Sequence, residues 1–133
     1  MGVRLEAAQT AALEIAAWLS QRPEVERVLH QAFSSCPGHE LWKRDFTGSS
    51  GVFSIVLRPG PEKQRVQAFA DALQLFKPGF SWAGTTSLVM TYDLAGADER
   101  PAYDHRLVRL SIGLESRADL IADLERAFAV LAS

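Results

Sequence analysis

The segment LVRLSIG, residues 107–113, decides the fold because it alternates as a strand with two unlike faces. Successive side chains of a strand point to opposite sides, so Val108, Leu110 and Ile112 share one face. Arg109 lies in the middle of the other face. The segment therefore predicts a sheet with one apolar side that needs a covering layer and one side that accommodates a charge.

Two further patterns place this strand in a larger sheet. Residues 52–57, VFSIVL, are too continuously apolar for a surface strand and predict a central one. Residues 24–30 alternate, with Val25, Arg27 and Leu29 on one predicted face, and indicate a short, partly exposed strand. Other extended segments are predicted at residues 80–82 and 87–92.

Helices are predicted where apolar residues recur every three or four positions. They span residues 3–21, 39–46 and 62–75, and a last helix runs from Ser116 to the C-terminus. A polar surface loop is predicted over residues 93–106. Together these elements predict an α+β fold, a two-layer α/β sandwich in which a mostly antiparallel sheet of about four strands carries helices on one side.

Composition limits the classes of function. The chain has 133 residues, 47% of them hydrophobic, as expected for one globular domain. A net charge of −2 provides no field that would gather nucleic acid or acidic lipid. The single cysteine, Cys36, excludes an internal disulfide, and no apolar stretch approaches the ~20 residues of a membrane span. Because the N-terminus lacks the apolar core of a signal peptide, we expect a cytoplasmic protein.

Arg109 is the most informative position that the pattern alone identifies. Because the apolar residues of this strand lie on the opposite face, the face of Arg109 must contact either water or an anion. The planar guanidinium of Arg109 matches the geometry of a carboxylate. Both readings remain open from spacing alone. The segment containing Ser81 and Trp82 follows a Pro-Gly break, and it lines either a pocket or the edge of the core.

The remaining candidates predict neither a metal site nor a catalytic residue. His30, His39 and His105 stand far apart and pair with no cysteine at a metal-binding spacing. Cys36 lies near His39, but no third residue would orient such a nucleophile pair. The glycine-rich turn at residues 47–51 precedes a strand and has no following lysine, unlike a phosphate-binding loop.

Three strings resemble the bacterial cystathionine beta-lyases. They are CPGHELWKRDFTGSSG at residues 36–51, FSWAG at residues 80–84, and RLSIGLE at residues 109–115 followed by a helix containing DLIADLE. They occur in the same order as in that family, and the similarity extends over essentially the whole chain from the first helix. The chain is similar to the C-terminal domain of these enzymes.

The resemblance implies a function. The family consists of fold-type-I enzymes that use pyridoxal phosphate (PLP), cleave the C–S bond of cystathionine and serve methionine biosynthesis. It places the substrate-carboxylate arginine at Arg109 and a bordering pair at Ser81 and Trp82. The cofactor sites and the catalytic lysine belong to a large preceding domain, which would be the partner of this one. Residues 1–22 would form a linking helix and residues 23–133 the C-terminal domain, with a thioether amino acid as substrate and a homo-oligomer as the assembly.

The chain departs from the family pattern close to these residues. Ala83 replaces a glycine, Thr85 and Thr86 replace an aromatic residue and a glutamate, and Ser111 replaces a histidine. Gln31 stands where proline is usual. These departures leave the preferred substrate open. The alternative hypothesis is a free-standing, non-catalytic α+β module that binds a small molecule or forms a homo-oligomer.

Overall fold

A computed structural model of the chain describes residues 2–30, 40, 51–79, 86–92 and 105–132. The predicted elements at residues 80–82 and, apart from residue 40, at residues 39–46 lie outside that set, as do residues 93–104 of the predicted loop. The described helices are α1 (Gly2–Ser20), α2 (Lys63–Ala72) and α3 (Arg117–Ala132). The described strands are β1 (Val25–Leu29), β2 (Val52–Leu57), β3 (Lys77–Pro78), β4 (Leu88–Tyr92) and β5 (Leu107–Ser111).

The five strands form one sheet in the order β1-β2-β5-β4-β3. Every neighbouring pair is antiparallel except β3 and β4, which run parallel. The predicted α+β fold and its mostly antiparallel sheet are thus confirmed, with five strands in place of about four. The interior position of β2 and the predicted ranges of β4 and β5 are confirmed to within a residue at each end.

The additional strand β3 contains Pro78, the first residue of the Pro-Gly break that precedes Ser81. Proline lacks a backbone N–H and can belong to a sheet only where that donor is not needed. Here the N–H of Lys77 donates to the Ser87 carbonyl at 3.0 Å, and the N–H of Gly79 donates to the Val89 carbonyl at 3.3 Å. The two bonds bracket Pro78, so the missing donor falls at a position that β4 does not use.

The three helices cover one face of the sheet. Val108 and Leu110 on β5 are fully buried on that face and belong to one core together with Ile15, Phe69 and Leu124 of the helices. Aromatic rings fill the space between helices, with Phe69 stacked on Phe128 at 5.0 Å between ring centroids. The described helices therefore lie on one side of the sheet, as predicted.

Helix α1 shares this core. Ala12, Ile15 and Leu19 have no exposed surface. The Arg22 guanidinium, just after the helix, lies 5.3 Å from the centroid of the Trp18 ring and bonds Glu24 through two nitrogens. None of the described helices combines the length and hydropathy of a membrane span.

Strand β1 contradicts the predicted alternation of residues 24–30. The prediction placed Val25 and Arg27 on the same face, but the pairing with β2 shifts register between these two residues. This bulge adds one residue and reverses the order of faces. As a result Val25 and Val28 are both buried, at 3% and 2% exposure, while Arg27 is exposed.

Helix α2 ends at Ala72, earlier than the predicted residue 75. The cause is Asp123 of α3, a buried carboxylate that accepts the N–H of Gln74 at 3.0 Å and that of Leu75 at 2.8 Å. Those two donors are therefore not available to continue the helix. Arg126 forms an ion pair with Asp123 and donates to the Ala72 carbonyl at 3.1 Å.

Candidate functional site

Arg109 lies in the middle of β5, the central strand of the described sheet, which has two strands on each side. Ser54 of β2 and Met90 of β4 are its partners across the two ladders. Opposite residues in an antiparallel pair share a face, so these three side chains lie together on the side away from the helices. All three are half-buried, in contrast to the fully buried Val108 and Leu110 on either side of Arg109 in the chain.

The Arg109 side chain forms a hydrogen bond to Gly79, the residue that follows β3. Its Nη2 donates to the Gly79 carbonyl at 3.3 Å, and Gly79 itself is bound to Val89 of β4 through its N–H. A guanidinium carries five N–H donors in a planar fork, and this contact helps to fix the plane of that fork. The arrangement is suited to binding a planar anion such as a carboxylate.

A second polar cluster ties the start of β4 to the end of β5. Ser87 is fully buried, and its N–H and hydroxyl donate to the two carboxylate oxygens of Glu115 at 2.9 and 2.8 Å. The Ser87 Oγ in turn accepts the N–H of Gly113 at 2.8 Å. We call Glu115, Ser87 and Gly113 the Ser87 latch. These residues fix where β4 begins relative to the strand that carries Arg109.

The sequence did not identify the Ser87 latch as functional. Glu115 ends the RLSIGLE string, but its partner Ser87 lies 28 residues earlier and no local spacing connects the two. Only the folded sheet brings them together.

Ser81 and Trp82 lie outside the described residues, in the stretch that joins Gly79 to Thr86. Ser111, one of the departures from the family pattern, is 3% exposed and lies on the same face as Arg109. It pairs with Val52 on β2 and with Leu88 on β4. The small hydroxyl side chain of Ser111 is therefore buried on the same face of the sheet as Arg109.

The other titratable candidates do not join this site. His30 is fully buried beside the Phe53 ring, at 5.6 Å between centroids, and its burial lowers the pKa of the imidazole below the usual 6.5. The His105 ring contacts the Pro61 carbonyl at 2.8 Å. No group of His, Cys, Asp and Glu among the described residues could hold a metal ion. Cys36 and His39 lie outside those residues.

Comparison with known proteins connects this geometry to a family. The family model described as Cys/Met metabolism PLP-dependent enzyme matches residues 1–129. A Rhizobium johnstonii protein, provisionally named a cystathionine beta-lyase, is 51% identical over an alignment of 133 positions that covers 97% of this chain and 34% of that protein. The cystathionine beta-lyase of Salmonella typhimurium is 46% identical, over 97% of this chain and 34% of its own length.

A solved structure gives the same result for the fold. The crystal structure of a Campylobacter jejuni protein, provisionally named an O-acetylhomoserine (thiol)-lyase, matches with a TM-score of 0.78 and 28% identity. The match covers 96% of this chain and 29% of that one, which carries N'-pyridoxyl-lysine-5'-monophosphate. The present chain therefore spans about a third of the length of the curated relatives it matches.

Proposed function

Because the chain belongs to the Cys/Met metabolism PLP-dependent enzymes, we propose that it is the substrate-carboxylate-binding, C-terminal domain of a C–S lyase of the cystathionine beta-lyase type. In this proposal Arg109 binds the α-carboxylate of a thioether amino acid, and Ser81 and Trp82 border that carboxylate. A large PLP-binding domain would supply the remainder of the active site. A cytoplasmic location and a homo-oligomeric assembly are part of the same proposal.

The observation that carries the proposal is the position of Arg109. A guanidinium in mid-sheet, half-buried between Ser54 and Met90 and away from the helices, has little role in the core. Its hydrogen bond to Gly79 helps to fix its plane before any ligand arrives. Fixing a donor in advance reduces the conformational entropy that binding must remove, and it favours one orientation of the bound carboxylate.

The described residues do not fit a covalent PLP site. Lys63 and Lys77 are exposed, and the Lys77 ammonium donates to the Gln74 carbonyl at 2.8 Å. Neither has the buried, water-excluded surroundings in which a lysine is used for covalent chemistry. When bound to an enzyme, PLP supplies the electron withdrawal that weakens bonds to the substrate α-carbon. The task left to this chain is to bind and orient the carboxylate.

The decisive test is the affinity of the chain for L-cystathionine, followed by NMR at the arginine Nε–Hε signals. Arg109→Lys keeps the positive charge but removes the planar fork, and we expect it to weaken binding by about tenfold. Arg27→Lys is the matched control, because Arg27 lies on the same face of the sheet but on β1. Equal affinities for the two variants would contradict the role of Arg109.

A second measurement tests the division of labour between domains. The purified chain, supplied with PLP and L-cystathionine, should release no homocysteine, because it would contribute only substrate binding. Steady turnover by this chain alone would contradict that part of the proposal.

The burial of α1 favours one other candidate. Residues 1–22 are proposed as a linking helix, yet Ala12, Ile15 and Leu19 are buried by the chain's own sheet and helices. Such packing is also what a free-standing, non-catalytic α+β module would need. Sedimentation and the binding test together separate the two: affinity for L-cystathionine that Arg109→Lys weakens supports the substrate-binding domain, whereas a defined oligomer without that affinity supports the free-standing module.

A further inference from the structure

Ser87 forms hydrogen bonds to residues next to β5 and to β3, and so connects these two parts of the sheet. Its side chain and N–H belong to the Ser87 latch, and its carbonyl accepts the N–H of Lys77 on β3. Every hydrogen-bonding group of this fully buried residue is therefore used. Buried polar groups that are all satisfied hold one geometry, because any movement leaves at least one of them unpaired.

The latch is linked to the Arg109 guanidinium by hydrogen bonds and by the short backbone segment from Lys77 to Gly79. The Glu115 carboxylate accepts hydrogen bonds from Ser87, and the Ser87 carbonyl accepts the N–H of Lys77. From Lys77 the backbone of β3 continues through Pro78 to Gly79. The carbonyl of Gly79 then accepts from Arg109 Nη2. All the residues of this path are described, and they connect the loop before α3 to the middle of β5.

The chemistry of Glu115 is specific to this task. Two donors of one residue, an N–H and an O–H, point at two oxygens of one carboxylate. A carboxylate can accept both bonds, whereas an amide presents one acceptor and one donor. An amide whose oxygen accepts the Ser87 N–H would turn its NH₂ group toward the Ser87 hydroxyl, and the hydroxyl proton would then lose its acceptor.

We propose that Glu115 is a positioning residue for the carboxylate site: through Ser87 and β3 it sets the place of the Gly79 carbonyl and hence the orientation of the Arg109 guanidinium. The proposal rests on the function proposed above for Arg109. It assigns to Glu115 no contact with substrate, only control over the residue that makes that contact.

The test compares Glu115→Gln with Glu14→Gln in the full chain. Glu14 is the matched control, an exposed carboxylate that pairs with Arg117 at the start of α3. We expect Glu115→Gln to shift the Nε–Hε NMR signal of Arg109 and to weaken L-cystathionine binding about fivefold, the equivalent of one net hydrogen bond. Glu14→Gln should change neither reading.

A second variant keeps the test valid if Glu115→Gln folds poorly. Ser87→Ala removes the hydroxyl but leaves the Ser87 N–H for Glu115, and it should shift the Arg109 signal in the same direction by a smaller amount. A folded Glu115→Gln or Ser87→Ala chain with an unchanged Arg109 signal and unchanged affinity would overturn the positioning role. A loss of stability without either change would show Glu115 to be purely structural.

The failure of this inference is distinguishable from failure of the proposed function. If Arg109→Lys weakens binding while Glu115→Gln does not, Arg109 binds the carboxylate and Glu115 does not position it. If Arg109→Lys has no effect on binding, the proposed function fails, and the Arg109 signal in Glu115→Gln still reports whether the path of hydrogen bonds exists.

Discussion

The two faces of the sheet differ most sharply along β5, where neighbouring residues have opposite surroundings. Val108 and Leu110 have no exposed surface and contribute to the core beneath the helices. Arg109, between them, is half-buried on the other side with Ser54 and Met90. In the proposed function, stability and ligand binding therefore depend on adjacent positions of one strand, and substitutions one residue apart should separate them.

The largest expected effect is on the core face. Leu110→Ala should lower the free energy of unfolding by about 3 kcal/mol, because it removes buried methyl groups and leaves a cavity. Arg109→Ala should lower it by about 1 kcal/mol or less, since a half-buried side chain loses little apolar contact. Urea unfolding of the two variants measures both values. Similar losses for the two would erase the distinction between the faces.

The next effect lies within the helical layer. Asp123→Asn should lower the free energy of unfolding by about 2 kcal/mol, because an amide whose oxygen accepts the Leu75 N–H would place its NH₂ group where the second carboxylate oxygen now accepts the Gln74 N–H and pairs with Arg126. Asp119→Asn, at an exposed position in the first turn of the same helix, is the control and should change it by about 0.5 kcal/mol. Affinity for L-cystathionine should stay unchanged in both, and a loss specific to Asp123→Asn would show that the two faces are coupled.

A smaller effect tests His30, a buried histidine on the apolar side of the sheet. Burial lowers the pKa of His30 in the folded chain below the 6.5 of an exposed histidine. As the pH falls through 6.5, the unfolded chain takes up a proton that the folded chain does not, so stability decreases until the folded pKa is reached. His30→Leu should reduce this loss, measured as the change in unfolding free energy between about pH 7.5 and about pH 5. An identical pH dependence in variant and parent would contradict a buried, neutral His30.

The smallest effect is at the surface. Glu14→Gln breaks an exposed ion pair with Arg117 and should change the free energy of unfolding by about 0.5 kcal/mol or less. Thermal unfolding at low and high salt measures it. A loss as large as that of Asp123→Asn would show that the contact between α1 and α3 depends on this pair.

The sequence predicted those elements whose residues carry their own pattern. Strand β5 could be located because its apolar residues alternate, and Arg109 stood out for the same reason. Helix α3 could be located because its apolar stripe is long and Ser116 precedes it. These signals are local, so they do not depend on how the chain folds back on itself.

The features that could not be predicted depend on residues distant in the chain. The end of α2 is set by Asp123, which lies 49 residues after Gln74. Strand β3 exists because the carbonyls of Ser87, just before β4, and of Val89 accept the N–H groups on either side of Pro78. The bond between Ser87 and Glu115 likewise forms only once β4 and β5 are paired. The roles of Ser81 and Trp82 remain predictions from the resemblance, since neither residue is described.

The bulge in β1 has a consequence for how the chain behaves in solution. Among the strands that the structure describes, β1 and β3 are the outermost, and an outermost strand can recruit a strand of another molecule and start a fibril. The bulge makes β1 irregular and increases its twist. Strand β3 is only two residues long and consists of an exposed lysine and a proline. Neither β1 nor β3 therefore offers a long, regular edge, and continuous strand addition at these two strands should be disfavoured.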